Sequence, residues 1–373
     1  MTLFFFSMLI LYASVMLWLV VAWEQIPASE ALDQGGETQF SILVPVRNES
    51  ENILRLLSAL RDQKYPKAAY EILIINDQSE DDTVSKVVTF QEENPSLKLR
   101  LLHLLPESGR IAHKKAALTL GVQEAKFPVI LTTDGDCWMG ESWLASFSAF
   151  YQAKKSKLIS ASVKVSGGTS LFPVLQTIEF STLIGTGAIL LSRGLPAMAN
   201  GANLCFEKEA FQSVRGYSGN THIPSGDDEF LVRKVLKAFP TEVHFLKSKA
   251  AVVATNPQSS LASFFHQRLR WASKWNAHRD WQTPVLAFLV WLFHLLHLTA
   301  WGIFAVTLDF WLFAVLITKV FTEFLLIRRW LSFLGEKKSI RFIPVTQIAY
   351  SFYVVFFGIA AQRKKYRWKG RTF

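Results

Sequence analysis

The sequence predicts an α/β fold with a mostly parallel sheet, set between apolar segments that read as membrane helices. Three observations predict it. Between residues 40 and 283, short apolar strands alternate with helical stretches, the pattern of βαβ units. Residues 1–23 and three stretches after residue 283 are long and apolar enough to cross a hydrocarbon core of about 30 Å. Composition agrees. Half of the 373 residues are apolar, 19% are charged, and there are 30 Phe and 12 Trp; mean hydropathy is +0.21. Soluble domains carry about 25% charge, and aromatic enrichment marks lipid boundaries. A disordered chain is excluded, and two cysteines exclude a disulfide scaffold.

Residues 1–23 carry no charge and are expected to form an uncleaved transmembrane anchor. A cleaved signal peptide would show a basic start, a shorter apolar core and a small-residue cleavage site. Residues 24–39 form a polar linker containing Gly35-Gly36. Residues 40–258 are the α/β domain. Its expected elements are strand Phe40–Val46, helix Glu51–Gln63 with Ser50 as N-cap, strands Glu71–Ile75 and Leu97–Leu102, helix Lys114–Ala125, and strands Pro128–Thr132 and Lys157–Val165. The stretch Leu171–Arg193 is unusually apolar. It is either buried core or, as preferred here, a membrane-surface segment that admits a lipid. Residues 259–283 form an interfacial helix leading to the C-terminal membrane segments, 284–361.

Within that region 284–305 and 309–327 form a helical hairpin broken at Thr307-Leu308-Asp309, and 342–361 is a third segment. Lys319 and Glu323 sit four apart, so they share a face and can pair. His294 and His297 lie at i, i+3; hydrogen bonding inside the bundle is preferred to a metal pair. Residues 362–373 are a basic tail.

The net charge of +10 is not spread evenly. After residue 327 there are eleven Lys or Arg and one acid, so this end carries the whole excess and the first 327 residues are neutral. That is unlike a nucleic-acid binder and like a membrane protein with cytoplasmic basic flanks. One conflict remains. With residues 24–283 cytoplasmic, three later crossings put the tail outside, against the positive-inside rule. A re-entrant or interfacial C-terminal segment is the open alternative.

In an open parallel sheet, ligands bind beyond the carboxyl ends of strands. Those positions are acidic here: Arg47-Asn48-Glu49 after the first strand, Asn76 to Thr83 after the second, and Asp134-Gly135-Asp136 after the fourth. Such a rim needs a cation or a donor-rich ligand to offset repulsion. Two carboxylates one residue apart suit a hard divalent cation, although a strand-end turn uses the same residues. Asp77 and Asp81 are turn formers or ribose and base acceptors. Lys114 and Lys115 open a helix, where cations oppose the dipole; a phosphate ligand or a solvated pair accounts for them. Gly226-Asp227-Asp228-Glu229 precedes the helical run Phe230–Ala238 and is a helix start or a general base. Gln267, Arg270 and Trp271 share a helical face and form an interfacial anchor, or Arg270 binds phosphate and Trp271 walls an acceptor. Neither G-x-G-x-x-G nor G-x-x-x-x-G-K-[ST] is present, which argues against dinucleotide and P-loop enzymes.

Together these motifs resemble the membrane-integrated glycosyltransferases of family 2, which have the GT-A nucleotide-sugar fold. The resemblance covers roughly residues 40–275. Pro45-Val46-Arg47-Asn48-Glu49 resembles the opening motif, and Asn76 to Thr83 resembles D-D-G-S-x-D-x-T, departing at Asn76 and Gln78. Lys114 with Leu118 resembles K-x-x-x-L, and Asp134-x-Asp136 the metal motif. Asp227-Asp228-x-x-Leu231 resembles E-D-x-x-L with Asp for Glu, and Gln267-x-x-Arg270-Trp271 resembles Q-x-x-R-W, the most specific of the set. The tail Tyr366–Arg371 also resembles tails of membrane members.

The resemblance implies inverting transfer from a nucleotide-diphosphate sugar. It implies Asp228 as base, with Asp227, Arg270, Trp271 and Gln267 catalytic. Pro45, Glu49, Asp77, Lys114 and Asp134 would hold the donor, and Asp134 and Asp136 would hold Mg²⁺ or Mn²⁺. The expected partners are a nucleotide sugar, a lipid or lipid-linked acceptor and the membrane, with no nucleic acid. The expected place is a cell or inner membrane, as a multi-pass protein with its catalytic domain in the cytoplasm. There the two unpaired cysteines, Cys137 and Cys205, stay reduced. Three or four membrane segments are few for a polysaccharide pore. A single transfer to a lipid acceptor is therefore preferred to a processive synthase, and both to a non-catalytic scaffold.

Overall fold

A computed structural model describes all residues except 1, 30–37, 106–112, 169, 197, 222, 224, 273–281, 361–366, 369–370 and 373. Gly35-Gly36, the end of the interfacial helix and most of the basic tail fall outside the described residues.

The first half of the chain runs α1 (Thr2–Gln25), β1 (Phe40–Val46), α2 (Ile53–Arg61), β2 (Tyr70–Asn76), α3 (Thr83–Glu93), β3 (Leu99–His103), α4 (His113–Glu124), β4 (Val129–Thr132), β5 (Cys137–Met139), α5 (Trp143–Lys154), β6 (Leu158–Ala161) and β7 (Val163–Val165). It continues with α6 (Leu171–Ser192), β8 (Leu204–Glu207), α7 (Lys208–Ser213), α8 (Asp227–Ala238), β9 (Val243–Leu246) and β10 (Val253–Thr255). The last elements are α9 (Leu261–Ala272), α10 (Gln282–Thr307), α11 (Phe310–Phe333), α12 (Ile343–Ala360), β11 (Arg367–Trp368) and β12 (Arg371–Thr372). The chain divides into two compact units. One holds residues 1–25, 167–182 and 257–373; the other holds 26–166 and 183–256, so the boundary falls within α6.

The α/β unit is built on a seven-stranded sheet in the order β3-β2-β1-β4-β8-β6-β9. Strands β3, β2, β1 and β4 are parallel, β8 runs antiparallel to both neighbours, and β6 and β9 are parallel to each other. A smaller sheet orders β5-β10-β7. The GT-A-like α/β architecture expected from the sequence is thus the architecture observed. β1 and β2 are buried along nearly their whole length and are apolar apart from Ser41, Glu71 and Asn76, because both sheet faces are covered. Gly121 on α4 explains one close contact: a Cβ there would lie 3.1 Å from methyl carbons of Leu43 and Ile75.

Pro45 is accommodated in β1 by its position. The Leu43 carbonyl accepts from Thr133 on the β4 side, and the Val46 carbonyl accepts from Asp77 on the β2 side. Alternation turns Pro45 toward β4, whose pairing stops at Leu43, so its missing N–H costs no ladder bond.

Several boundaries differ from the sequence expectation. Ser50 is not a cap: α2 starts at Ile53 after Asn52, and Ser50 N–H instead donates to Asp81. The single strand expected over 157–165 is two, β6 and β7, with Ser162 between them joining different sheets. The run after Gly226 is helical from Asp227, so both acids lie in the first turn of α8.

Among the described residues, five helices are long and apolar enough to cross a membrane: α1, α6, α10, α11 and the stretch Lys337–Ala360 that includes α12. About two thirds of the most apolar stretch of α6 is buried inside the protein, a larger share than in the other four, which fits the buried-core alternative for this stretch better than the surface one. In the helical unit the hairpin between α10 and α11 turns at Leu308 (φ 51°), and Asp309 Oδ1 accepts from Leu312 N at 2.9 Å to cap α11. Lys319 and Glu323 pair at 2.9 Å, and the Tyr12 hydroxyl of α1 donates to Glu323. Arg329 meets Glu24 at 3.0 Å, and Trp23 meets Trp330 and Phe333 edge-on. His294 and His297 both bond the Ser351 hydroxyl, at 3.0 and 2.8 Å, the hydrogen-bonding role preferred for them.

Candidate active site

The carboxyl ends of β1 and β2 carry two loops that are stitched together. Arg47 donates to the carbonyls of Asp77 (2.9 Å) and Gln78 (2.8 Å) and pairs with Glu80. Asp81 accepts from Ser50 N, Thr83 N and the Thr83 hydroxyl. Burial opposes ionisation of Asp81, but those donors win and hold its carboxyl down at about 2. Asp81 is therefore engaged as a turn former. Asn76 Oδ1 accepts from Ser79 N, the work an aspartate oxygen does equally well, so that departure is conservative. Gln78 has φ 56°, the left-handed region that explains a glycine at this point of the resembled motif. Asp77 is buried, and Glu49 is buried with Oε2 accepting from Asn52.

β4 delivers Asp134-Gly135-Asp136 to the same rim. Gly135 is required by crowding: a Cβ would stand 2.8 Å from Glu49 Cγ and 3.1 Å from Val46 Cγ1. Glu49 is thereby packed against the acidic turn.

Four site residues converge beside this turn. Lys114, at the start of α4, places Nζ 2.7 Å from Asp134 Oδ1 and 3.4 Å from Asp227 Oδ2. Gly201, between α6 and β8, completes the group. Its N–H donates to Asp228 Oδ2 at 3.1 Å, and its carbonyl accepts from the Thr132 hydroxyl at 2.6 Å. A Cβ on Gly201 would fall 3.0 Å from Asp227 Oδ2. Sequence reading missed Gly201, since a lone glycine followed by Ala-Asn carries no signal of a contact 27 residues away. Burial disfavours the Lys114 ammonium, yet Asp134, Asp227 and Asp228 outweigh it and raise the pKa, so the side chain stays charged. Part of the offset that the acidic rim requires is therefore supplied by the chain itself.

Lys115 does not join this group. It is 1% exposed and turns the other way, donating to the carbonyls of Asn220 (2.8 Å) and Ile223 (2.9 Å), in the loop that leads to α8. The expected pair of lysines is thus one ionic contact and one loop anchor.

The oxygen donors at Asp134 and Asp136 suit a hard cation. Among the described residues no set of three or more His, Cys, Asp or Glu converges as a ligand shell. The fit is to an ion that draws its remaining ligands from water and phosphate oxygens, the usual habit of Mg²⁺. Cys137 follows Asp136 but is no ligand of choice: burial and the two aspartates push its thiol well up.

The Gln267–Trp271 segment lies on α9, in the helical unit. α9 is a helix over these residues, so Gln267, Arg270 and Trp271 do share a face, and Trp271 packs on Phe180 at 5.9 Å between ring centroids. Arg268, which sequence reading passed over, is 4% exposed and is bound on both oxygens of Glu179.

The chain is 31% identical over 104 residues to glycosyltransferase AglE of Haloferax volcanii, covering 28% of this chain and 32% of that one. It is 27% identical over 238 residues to a poly-β-1,6-N-acetyl-D-glucosamine synthase of Staphylococcus epidermidis, covering 62% of this chain and 53% of that one. The chain thus spans roughly a third and roughly a half of these relatives. The mannosyltransferase PcManGT from Pyrobaculum calidifontis, solved with GDP-Man and Mn²⁺, superposes with a TM-score of 0.58 at 18% identity, over 93% of this chain and 97% of that one. That likeness shows a shared GT-A fold. The profile of glycosyl transferase family 21, within the family 2 clan, matches residues 2–373, so this chain belongs to glycosyl transferase family 21.

Proposed function

We propose that the chain transfers a sugar, with inversion, from a nucleotide-diphosphate sugar to a lipid or lipid-linked acceptor at a membrane. The observation that carries this reading is the convergence of Lys114, Asp134, Asp227, Asp228 and Gly201 at the carboxyl rim of the sheet. The similar proteins support the donor class: PcManGT was solved with GDP-Man, and the staphylococcal relative is named for a polymer of N-acetyl-D-glucosamine. Among the described residues, five helices able to cross a bilayer support the lipid acceptor and the membrane location. Residues 40–258 work as the cytoplasmic catalytic domain, where nucleotide sugars are soluble, and both buried cysteines are free.

In this reading an acceptor hydroxyl attacks the anomeric carbon while the bond to the diphosphate breaks. Asp228 takes the hydroxyl proton. Its Oδ2 already accepts from Gly201 N and its Oδ1 from Glu229 N at 2.7 Å, which aims the carboxylate and leaves lone pairs for the incoming proton. Lys114 brings positive charge against the donor, and Asp227 keeps that ammonium in place. Pro45, Glu49 and Asp77 hold the nucleoside, at the rim of stitched loops. Asp134 and Asp136 would hold Mg²⁺ or Mn²⁺, which when bound would supply Lewis-acid stabilisation to the departing diphosphate. Gln267 and Arg270 serve the diphosphate, and Trp271 walls the acceptor.

The staphylococcal synthase favours a second reading, processive polymer synthesis, because it aligns over 62% of this chain. One experiment separates them. Membranes holding the chain are given labelled UDP- and GDP-sugars and then extracted with organic solvent. Label in the lipid fraction, lost in Asp228→Asn with donor binding retained, is the expected result. Label only in high polymer would replace the first reading with the second, and full turnover by Asp228→Asn would remove Asp228 as the base.

A further inference from the structure

We infer that Arg268, the residue inside the Gln267-x-x-Arg270-Trp271 signature, is the positioning residue that sets the other side chains of that segment. The inference rests on the reading that this segment meets the substrates.

Arg268 is 4% exposed and held from every direction. Its Nε donates to Glu179 Oε1 at 3.0 Å and its Nη2 to Glu179 Oε2, a two-pronged grip across to α6. Glu179 is itself fixed, since its Oε1 also accepts from the Tyr353 hydroxyl of α12 at 2.9 Å. The guanidinium plane lies against two rings, with its central carbon 4.2 Å from the Phe264 centroid and 4.3 Å from the Trp271 centroid. Its Nη1 donates to the Gln267 side-chain carbonyl.

Two members of the signature are therefore set by one buried cation. Trp271 is backed by a flat positive face. Gln267 is turned by chemistry: a guanidinium only donates, so the atom meeting it must be the carbonyl oxygen. The amide NH₂ of Gln267 then points away from Arg268, as a pair of donors suited to phosphate oxygen. Arg268 itself is sequestered from any ligand, so it acts through its neighbours. A lysine would keep the charge opposite Glu179 but lose both the two-pronged grip and the flat face.

The test uses the full chain in lipid nanodiscs and the variants Arg268→Lys, Gln267→Ala and Trp271→Phe, singly and as the doubles containing Arg268→Lys. Turnover is measured along with affinity for free UDP and GDP, so a background without turnover still reports. Arg268→Lys is expected to keep a cooperative thermal transition and to lower kcat by about 10- to 100-fold, the usual effect of displaced support around a site. In the Gln267→Ala and Trp271→Phe backgrounds the same change should cost less than in the wild type, in turnover or in affinity, because each background has already lost one of the two side chains that Arg268 sets. Wild-type behaviour of Arg268→Lys, an undiminished cost in both backgrounds, or loss of the cooperative transition would each overturn the proposal; the last two mark Arg268 as a general fold anchor. Gln267→Ala and Trp271→Phe both working at the full rate would instead overturn the reading of the segment, and the proposal with it.

Discussion

The ammonium of Lys114 lies 2.7 Å from a carboxylate oxygen of Asp134, joining the start of α4 to the end of β4. With Asp227 at 3.4 Å, this one cation keeps two carboxylates close together at the rim of the sheet. Lys114→Met is expected to lower transfer by about 100-fold or more, in the range seen when one oriented charge-stabilising donor is lost. Lys114→Arg should recover part of it. Initial rates with saturating donor read the effect, and a Met variant within threefold of the wild type would sink the assignment.

Metal removal tests the neighbouring acids. Chelation by EDTA should abolish transfer, and Mg²⁺ or Mn²⁺ should restore it. Asp136→Ala should raise the concentration of ion needed for half-maximal rate or eliminate activity. Full activity of the wild type in excess chelator would contradict a cation at Asp134 and Asp136.

The loop after β2 offers a stability test. Gln78 holds φ 56°, where a residue with a side chain costs about 1 kcal/mol relative to glycine. Gln78→Gly regains that, less the entropy glycine adds to the unfolded chain, so its Tm should match or slightly exceed the wild type. Gln78→Val, branched at Cβ, should melt lower. Melting by scanning fluorimetry decides it; Gly melting below Val would refute the backbone argument.

Asp81 supplies a pH dependence with a definite sign. Its carboxyl is held at about 2, below an unfolded value of about 3.9. The stabilisation is therefore complete above about pH 4 and fades as pH falls through about 2. Asp81→Asn should melt lower at neutral pH and show a shallower fall in Tm between pH 4 and 2. Parallel acid melting curves for the two proteins would show that Asp81 contributes nothing there.

Much of this was legible in the residues. The mostly apolar stretches of β1, β2 and β4 announce a parallel sheet, and the lengths of the apolar segments placed α10 and α12 closely, while α11 runs on to Phe333, past the expected end at 327. The acids at strand ends were legible because a strand end and an aspartate are both local features. What escaped was decided by distant partners. Lys114 and Lys115 are adjacent and alike, yet one meets Asp134 and the other meets carbonyls over a hundred residues on. β8 is four residues long and joins β4 to β6 antiparallel, a choice no short pattern encodes. Ser50 looked like a helix cap, but the helix begins three residues later, after Asn52, and the Ser50 N–H donates to Asp81. Arg268 looked like one more basic residue beside a bilayer until Glu179 was found opposite it.

The contacts of α1 bear on how the protein is handled. Trimming the chain after Gln25 to obtain a water-soluble form would not remove a passive leash. It would take the Tyr12 hydroxyl from Glu323, strip Glu24 from Arg329 and uncover the rings of Trp330 and Phe333 that Trp23 now shields. Preparations should keep the leading segment intact and choose a detergent or disc that covers it.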